Sequence, residues 1–308
     1  MHVKGSSHLR PFVRSLLKAF DNTDPPKNQQ RAITPKLLQA MAALSGMLLD
    51  ETQDTAFSII TELAIVAYFF AMRSCEFTNT RTPGRTKIIN LKGVLFRDQG
   101  NNILDHRSAL LHTAERVTLT FENQKNGTKM DRRTHQRTAD EVLCPVRRLA
   151  SLVSRIYASV PSVSPQTQVN TVHLLSKETR ITSTELLNYM RSTCTAAGDK
   201  HTFGYAAHEI GTKSLRSGAA MGLFLTNHPV HKIMILGRWS SDAFLVYIRP
   251  QVLEWTNNMS SDMIEFNSFI DVTTSQRTPP TDPRTRQPRF NADRAITFTT
   301  MQEMHLHH

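Results

Sequence analysis

The sequence predicts a mostly α-helical domain carrying a small antiparallel β-sheet. Three observations predict it. A chain of 308 residues that is 39% hydrophobic can bury a sizeable core. Apolar residues recur at helical spacing before residue 76 and again from Pro145 onward. Between those regions, Val117, Leu119 and Phe121 alternate with Thr118, Thr120 and Glu122, the period of a half-buried strand.

Taken in order, residues His8 to Ala19 read as a short basic helix with Leu9, Phe12, Val13, Leu16 and Leu17 on one face. The polar stretch Asp21 to Arg31, with Pro25-Pro26, reads as a linker. Thr34-Pro35 has the form of a helix start, an N-cap followed by proline at the first helical position. Leu37, Leu38, Met41 and Leu44 follow at helical spacing. A second helix is expected from about Asp54 to Cys75, apolar all round in its latter half and so central and buried. Asn126-Gly127 after the alternating strand is a hairpin signal, with Met130 to Gln136 returning as a polar partner.

Further on, Val146, Leu149, Val153 and Ile156 line one helix face. Thr182 with Glu185 forms a capping box for a helix ending near Gly198. Three more helices are expected over Lys213 to Leu225, Pro229 to Leu236 and Ser241 to Val252, with Gly237 suited to a helix C-terminus. The stretch from Thr273 to Arg294, rich in proline and arginine, reads as a disordered tail. The expected organisation is 1–31 as a short helix and linker, 32–266 as one domain, and 267–308 as the tail.

Lysine and arginine number 37 against 26 acidic residues, a formal net charge of +11. Such a balance favours polyanionic partners, nucleic acid foremost. Cys75, Cys144 and Cys194 show no metal spacing and read as buried thiols of a reduced, intracellular protein. The histidines show no His-x3-His pattern, so no metal and no cofactor is assigned. The most apolar run, Leu63 to Met72, is too short to span a bilayer, and the basic N-terminal stretch is no signal peptide.

The informative stretch is Ala207 to Arg249. Thr212-Lys213-Ser214-Leu215-Arg216-Ser217-Gly218 resembles the HxxR box of tyrosine recombinases. Leu236-Gly237-Arg238-Trp239-Ser240-Ser241 resembles their LGH or GGW box, and Tyr247 follows at nearly the family's distance. Upstream, Met72-Arg73-Ser74-Cys75-Glu76 resembles the first-arginine box at the end of a buried helix. Lys125, on the expected hairpin, stands where the family carries its catalytic lysine. The resemblance covers about Thr34 to Ile264 and is nearest to Crypton-type mobile-element recombinases, in which boxes such as GRWSSDAF recur.

The resemblance implies a tyrosine recombinase catalytic-domain fold and an enzyme that breaks and rejoins duplex DNA. Tyr247 would be the nucleophile, because a phenol forms a reversible phosphotyrosyl ester. Arg73 and Arg216 would clamp the non-bridging phosphate oxygens with planar, permanently charged guanidiniums. Lys213 would donate to a phosphate oxygen, and Lys125 would protonate the departing 5′ oxygen, with Lys129 its competitor. Trp239 would donate its indole N–H and buttress the tyrosine helix. Glu76 would orient Arg73 or Lys213. Arg238, Lys129 and Lys87 are candidate DNA contacts. The partner is double-stranded DNA, with self-assembly on it, in the nucleus if the host is eukaryotic.

Two departures stand out. Lys213 replaces the histidine of the HxxR box, an accepted variant but a poorer base near neutral pH. Only about one helix precedes the linker, where the family has a full core-binding domain, so the N-terminal segment reads as its remnant. The competing readings are a type IB topoisomerase and a non-catalytic DNA-binding protein derived from a mobile element.

Overall fold

The computed structural model describes residues 30–46, 55–81, 86–123, 127, 129–160, 162–174, 177–226 and 228–239. The expected N-terminal helix, the Ser241 to Val252 helix and the tail lie outside the described residues. The chain divides into two units after Gln30, and every element named below belongs to the second.

Helix α1, Pro35–Leu44, opens at Thr34 with proline in its first turn. It buries Leu37, Leu38 and Met41, whereas Leu44 is exposed. Helix α2, Ala56–Phe69, starts where the Thr55 hydroxyl accepts the Ser58 N–H. Every residue from Ser58 to Tyr68 is buried, as a helix apolar on nearly all sides requires. The one acid inside it, Glu62, is neutralised by Arg155 at 2.6 Å.

Helix α2 ends earlier than the sequence suggests. The Ala71 N–H bonds to Tyr68 O and the Met72 N–H to Ala67 O, the paired bonds of a Schellman stop. Ala71 takes the left-handed conformation at φ +45° that glycine usually supplies. Arg73 therefore does not sit on the helix. It leads a separate 3-10 turn, Ser74–Glu76.

Strands β1 (Val94–Arg97), β2 (Ile103–Leu104), β3 (Arg116–Asn123) and β4 (Lys129–Gln136) form one antiparallel sheet in the order β2-β1-β3-β4. Val117, Leu119 and Phe121 of β3 face the core, and Thr118 meets Thr134 across the open face through their hydroxyls. Strands β1 and β2 were not expected, and neither was a second hairpin, β5 (Thr171–Leu174) with β6 (Lys177–Arg180).

Helix α3, Pro145–Ser159, packs the expected Val146, Leu149, Val153 and Ile156 against α2 and the sheet. The capping box of Thr182 and Glu185 opens α4, Ser183–Ala196, as predicted. After the short α5, Asp199–Phe203, come α6, Ser214–Leu225, and α7, Val230–Gly237. Helix α6 lies hard against the entry to α1: a Cβ on Gly218 would stand 2.3 Å from Ile33 O. The fold is thus mixed and mainly helical, with two small antiparallel sheets among the described residues. Among the described residues no helix is long and apolar enough to cross a membrane.

Candidate active site

Helix α7 ends as α2 does. The Arg238 N–H bonds to Ile235 O and the Trp239 N–H to Met234 O, and Arg238 itself adopts the left-handed conformation at φ +56°. Gly237 is thus the last helical residue, and an arginine holds the position glycine was expected to favour. Gly237 is needed for another reason: a Cβ there would lie 1.6 Å from the Trp239 ring. Two helix C-termini, each carrying partial negative charge, therefore meet at one seam.

Two guanidiniums fill that seam. Arg216, from α6 and only 3% exposed, donates from Nη1 to Ala71 O at 2.8 Å and from Nη2 to Gly237 O. Its guanidinium carbon stands 4.3 Å from the centre of the Trp239 ring. Arg238 donates to Phe70 O at 2.9 Å, to Ala71 O at 3.3 Å and to Glu76 Oε2 at 2.6 Å. Its other face lies 3.7 Å over the ring of Phe121. Burial pushes the Arg238 pKa down, and the Glu76 carboxylate works against that shift.

Glu76 is wholly buried and serves two arginines at once. Its Oε1 accepts from Arg73 Nη1 at 2.9 Å, and its Oε2 also accepts the Arg73 main-chain N–H at 2.8 Å. Arg73 remains partly open to solvent, so its brace is buried and its head is accessible.

Of the expected residues, Arg73, Glu76, Arg216 and Trp239 come together. Glu76 accepts hydrogen bonds from both Arg73 and Arg238. Lys213 is exposed at the head of α6, as its N-cap. Arg238 is corrected: it was expected to meet DNA phosphates, yet its side chain is buried in an ion pair with Glu76 because the left-handed turn swings it inward. Cys75 is corrected from buried to half-buried, because its 3-10 turn borders a polar cavity. Lys129 and Lys87 are exposed. Lys125 and Tyr247 lie outside the described residues.

The inward side of β4 was missed. Arg133 is held by Asp131 and donates from Nε to Ile235 O at 2.7 Å, tying the hairpin to α7. His135 packs edge-on against Phe69 and Phe70, and burial depresses its pKa to about 4. The only local signal was charged side chains at alternate positions of a polar strand. Among the described residues no group of three or more potential metal ligands converges.

A scan against protein-family models matched none, and a search of curated proteins found no relative. Among solved structures the chain is similar to the Tn1549 transposon integrase in complex with transposon right end DNA. The identity is 9% and the TM-score 0.40, and the similarity covers 73% of this chain and 62% of that one, which is less than two thirds of its length.

Proposed function

We propose that the chain breaks and rejoins duplex DNA through a 3′-phosphotyrosyl intermediate on Tyr247, with residues 32–266 as the catalytic domain. The observation that carries this reading is the convergence of Arg73, Arg216 and Trp239 on one seam, in the chain order of the boxes that contain them. Glu76 braces one of these guanidiniums, and main-chain carbonyls hold the other.

The chemistry balances without any further reactant. The Tyr247 oxygen attacks phosphorus, its phenolic proton passes to solvent, and the bond from phosphorus to the 5′ oxygen breaks. Lys125 delivers a proton to that oxygen. Arg73 and Arg216 offset the charge that gathers on the non-bridging oxygens, with Lys213 and the Trp239 indole N–H as further donors. Rejoining is the reverse, by a 5′ hydroxyl. Joining two duplexes calls for self-assembly on DNA.

One observation favours a second reading. Arg216 and Arg238 are both buried and donate to main-chain carbonyls, which a purely structural pair would also do. That reading is a non-catalytic DNA-binding protein.

The test is incubation with nicked duplexes of randomised sequence, which trap a covalent adduct, followed by a denaturing gel and mapping of the modified peptide. Adduct on Tyr247, absent from Tyr247→Phe, is expected. DNA binding with no adduct in the wild type supports the second reading. Relaxation of supercoiled plasmid without strand exchange indicates topoisomerase activity.

A further inference from the structure

The open face of the sheet carries a charge pattern that the chemistry above does not use. Lys87, Lys92, Lys129 and Arg132 are all exposed there or at its edge. They surround one acid, Glu122 of β3. Lys92 Nζ lies 2.7 Å from Glu122 Oε1 and Lys87 Nζ lies 3.7 Å from Oε2. Glu122 is also the shared wall of two depressions. One, of about 430 Å³, is lined by Lys92, Lys129 and Arg132, and the other, of about 490 Å³, by Lys87 and Cys75. Cys75 sits between Arg73 and Glu76. A path lined by cations thus runs from Arg132 and Lys129, past Glu122, to the depression beside Cys75.

We propose that this path seats the phosphate backbone of duplex DNA and that Glu122 is a built-in competitor, which holds Lys92 and Lys87 until phosphates displace it. The inference rests on the DNA reading above and extends it to a surface. Exposed ion pairs contribute little to stability, so exchanging the carboxylate for a phosphate costs the fold almost nothing. The Lys92 hydrogen bond keeps the Glu122 carboxyl below its usual range, so it competes in its charged form. Four cations against one acid match a polyanion that offers a phosphate at every step. Displaced carboxylate and released counterions would then make binding strongly dependent on salt.

The experiment measures Kd for a random-sequence duplex over a salt series, with thermal melts to confirm folding. Lys92→Ala/Arg132→Ala should lower the slope of log K against log salt by about two and weaken binding to all sequences alike. Glu122→Gln should tighten binding several-fold at low salt. Lys177→Ala, on the exposed β6, should change neither quantity. An unchanged slope in the double variant, or unchanged affinity in Glu122→Gln, overturns the proposal. So does equal competition by single-stranded RNA, which would point to a different polymer. Loss of seat effects with the covalent adduct intact defeats this inference alone. Seat effects without any adduct defeat the catalytic reading alone.

Discussion

Replacing Glu76 by glutamine tests whether the buried pair holds the arginine seam together. Glutamine keeps the shape of the side chain but has one acceptor end. Both Glu76 oxygens accept: Oε1 from Arg73 Nη1, and Oε2 from Arg238 Nη2 and the Arg73 N–H. Either amide orientation therefore turns an NH2 group toward a donor. The Arg238 cation, fully buried, loses the charge that offsets its desolvation. Breaking such a pair from one side costs about 3–5 kcal/mol. Against a total stability of about 5–15 kcal/mol this is a large fraction. At about 2–4 °C per kcal/mol for a domain of this size, the Tm should fall by roughly 10 °C. Calorimetry gives the shift. Combining Glu76→Gln with Arg238→Met should cost at least about 1 kcal/mol less than the two changes added separately. A Tm within about 2 °C of wild type, or strict additivity, would refute the argument.

Three further outcomes are expected. Arg73→Ala and Arg216→Ala should each slow adduct formation by about a hundredfold or more in single-turnover cleavage, with lysine replacements only partly restoring it; wild-type rates would make that arginine structural. Lys125→Ala should cleave ordinary DNA slowly but a 5′-bridging phosphorothiolate at close to the wild-type rate, because sulfur leaves without a proton; rescue of Lys129→Ala instead would exchange the two roles. His135 should make stability depend on pH: its pKa is about 4 folded against 6.5 for an ordinary histidine, so between those values the unfolded chain binds more protons. Stability should therefore fall as pH drops from 6.5 to about 4, by at most about 3 kcal/mol, and level off below. His135→Gln melts that keep the same slope would assign it to other groups.

The parts of the fold that were legible in the sequence are those written in local chemistry. Thr34-Pro35, the Thr182–Glu185 box and the alternation from Val117 to Glu122 each act within a few residues, and each element starts or runs where its signal stands. The end of α2 was not legible. Its apolar run continues to Met72 with no glycine or proline, and the stop is made by Ala71 in a conformation alanine rarely adopts. Strands β1, β2, β5 and β6 are at most four residues long, too short for a period to register. In the site, the order of Arg73, Arg216 and Trp239 could be read from the boxes. The burial of Arg238 could not, since its partners Glu76, Phe70 and Phe121 are all more than a hundred residues away in sequence.

The two left-handed turns, at Ala71 and Arg238, explain why arginines gather at the seam. Each Schellman stop satisfies some end carbonyls and leaves others aimed outward. The carbonyls of Phe70, Ala71 and Gly237 are the ones taken by Arg216 and Arg238. A helix end offers a partial negative charge, which attracts a guanidinium but does not neutralise it. Glu76 supplies a full opposing charge, and it is divided between Arg73 and Arg238. Under the proposed chemistry this arrangement is preorganisation: the carbonyls fix the plane of Arg216 before any phosphate arrives, so no ordering cost falls on the reaction. The same contacts that make Arg216 look structural would then set the geometry of the clamp. Arg216→Lys should separate the two roles, since one ammonium cannot hold both carbonyls in that plane and also present a second donor in the fork.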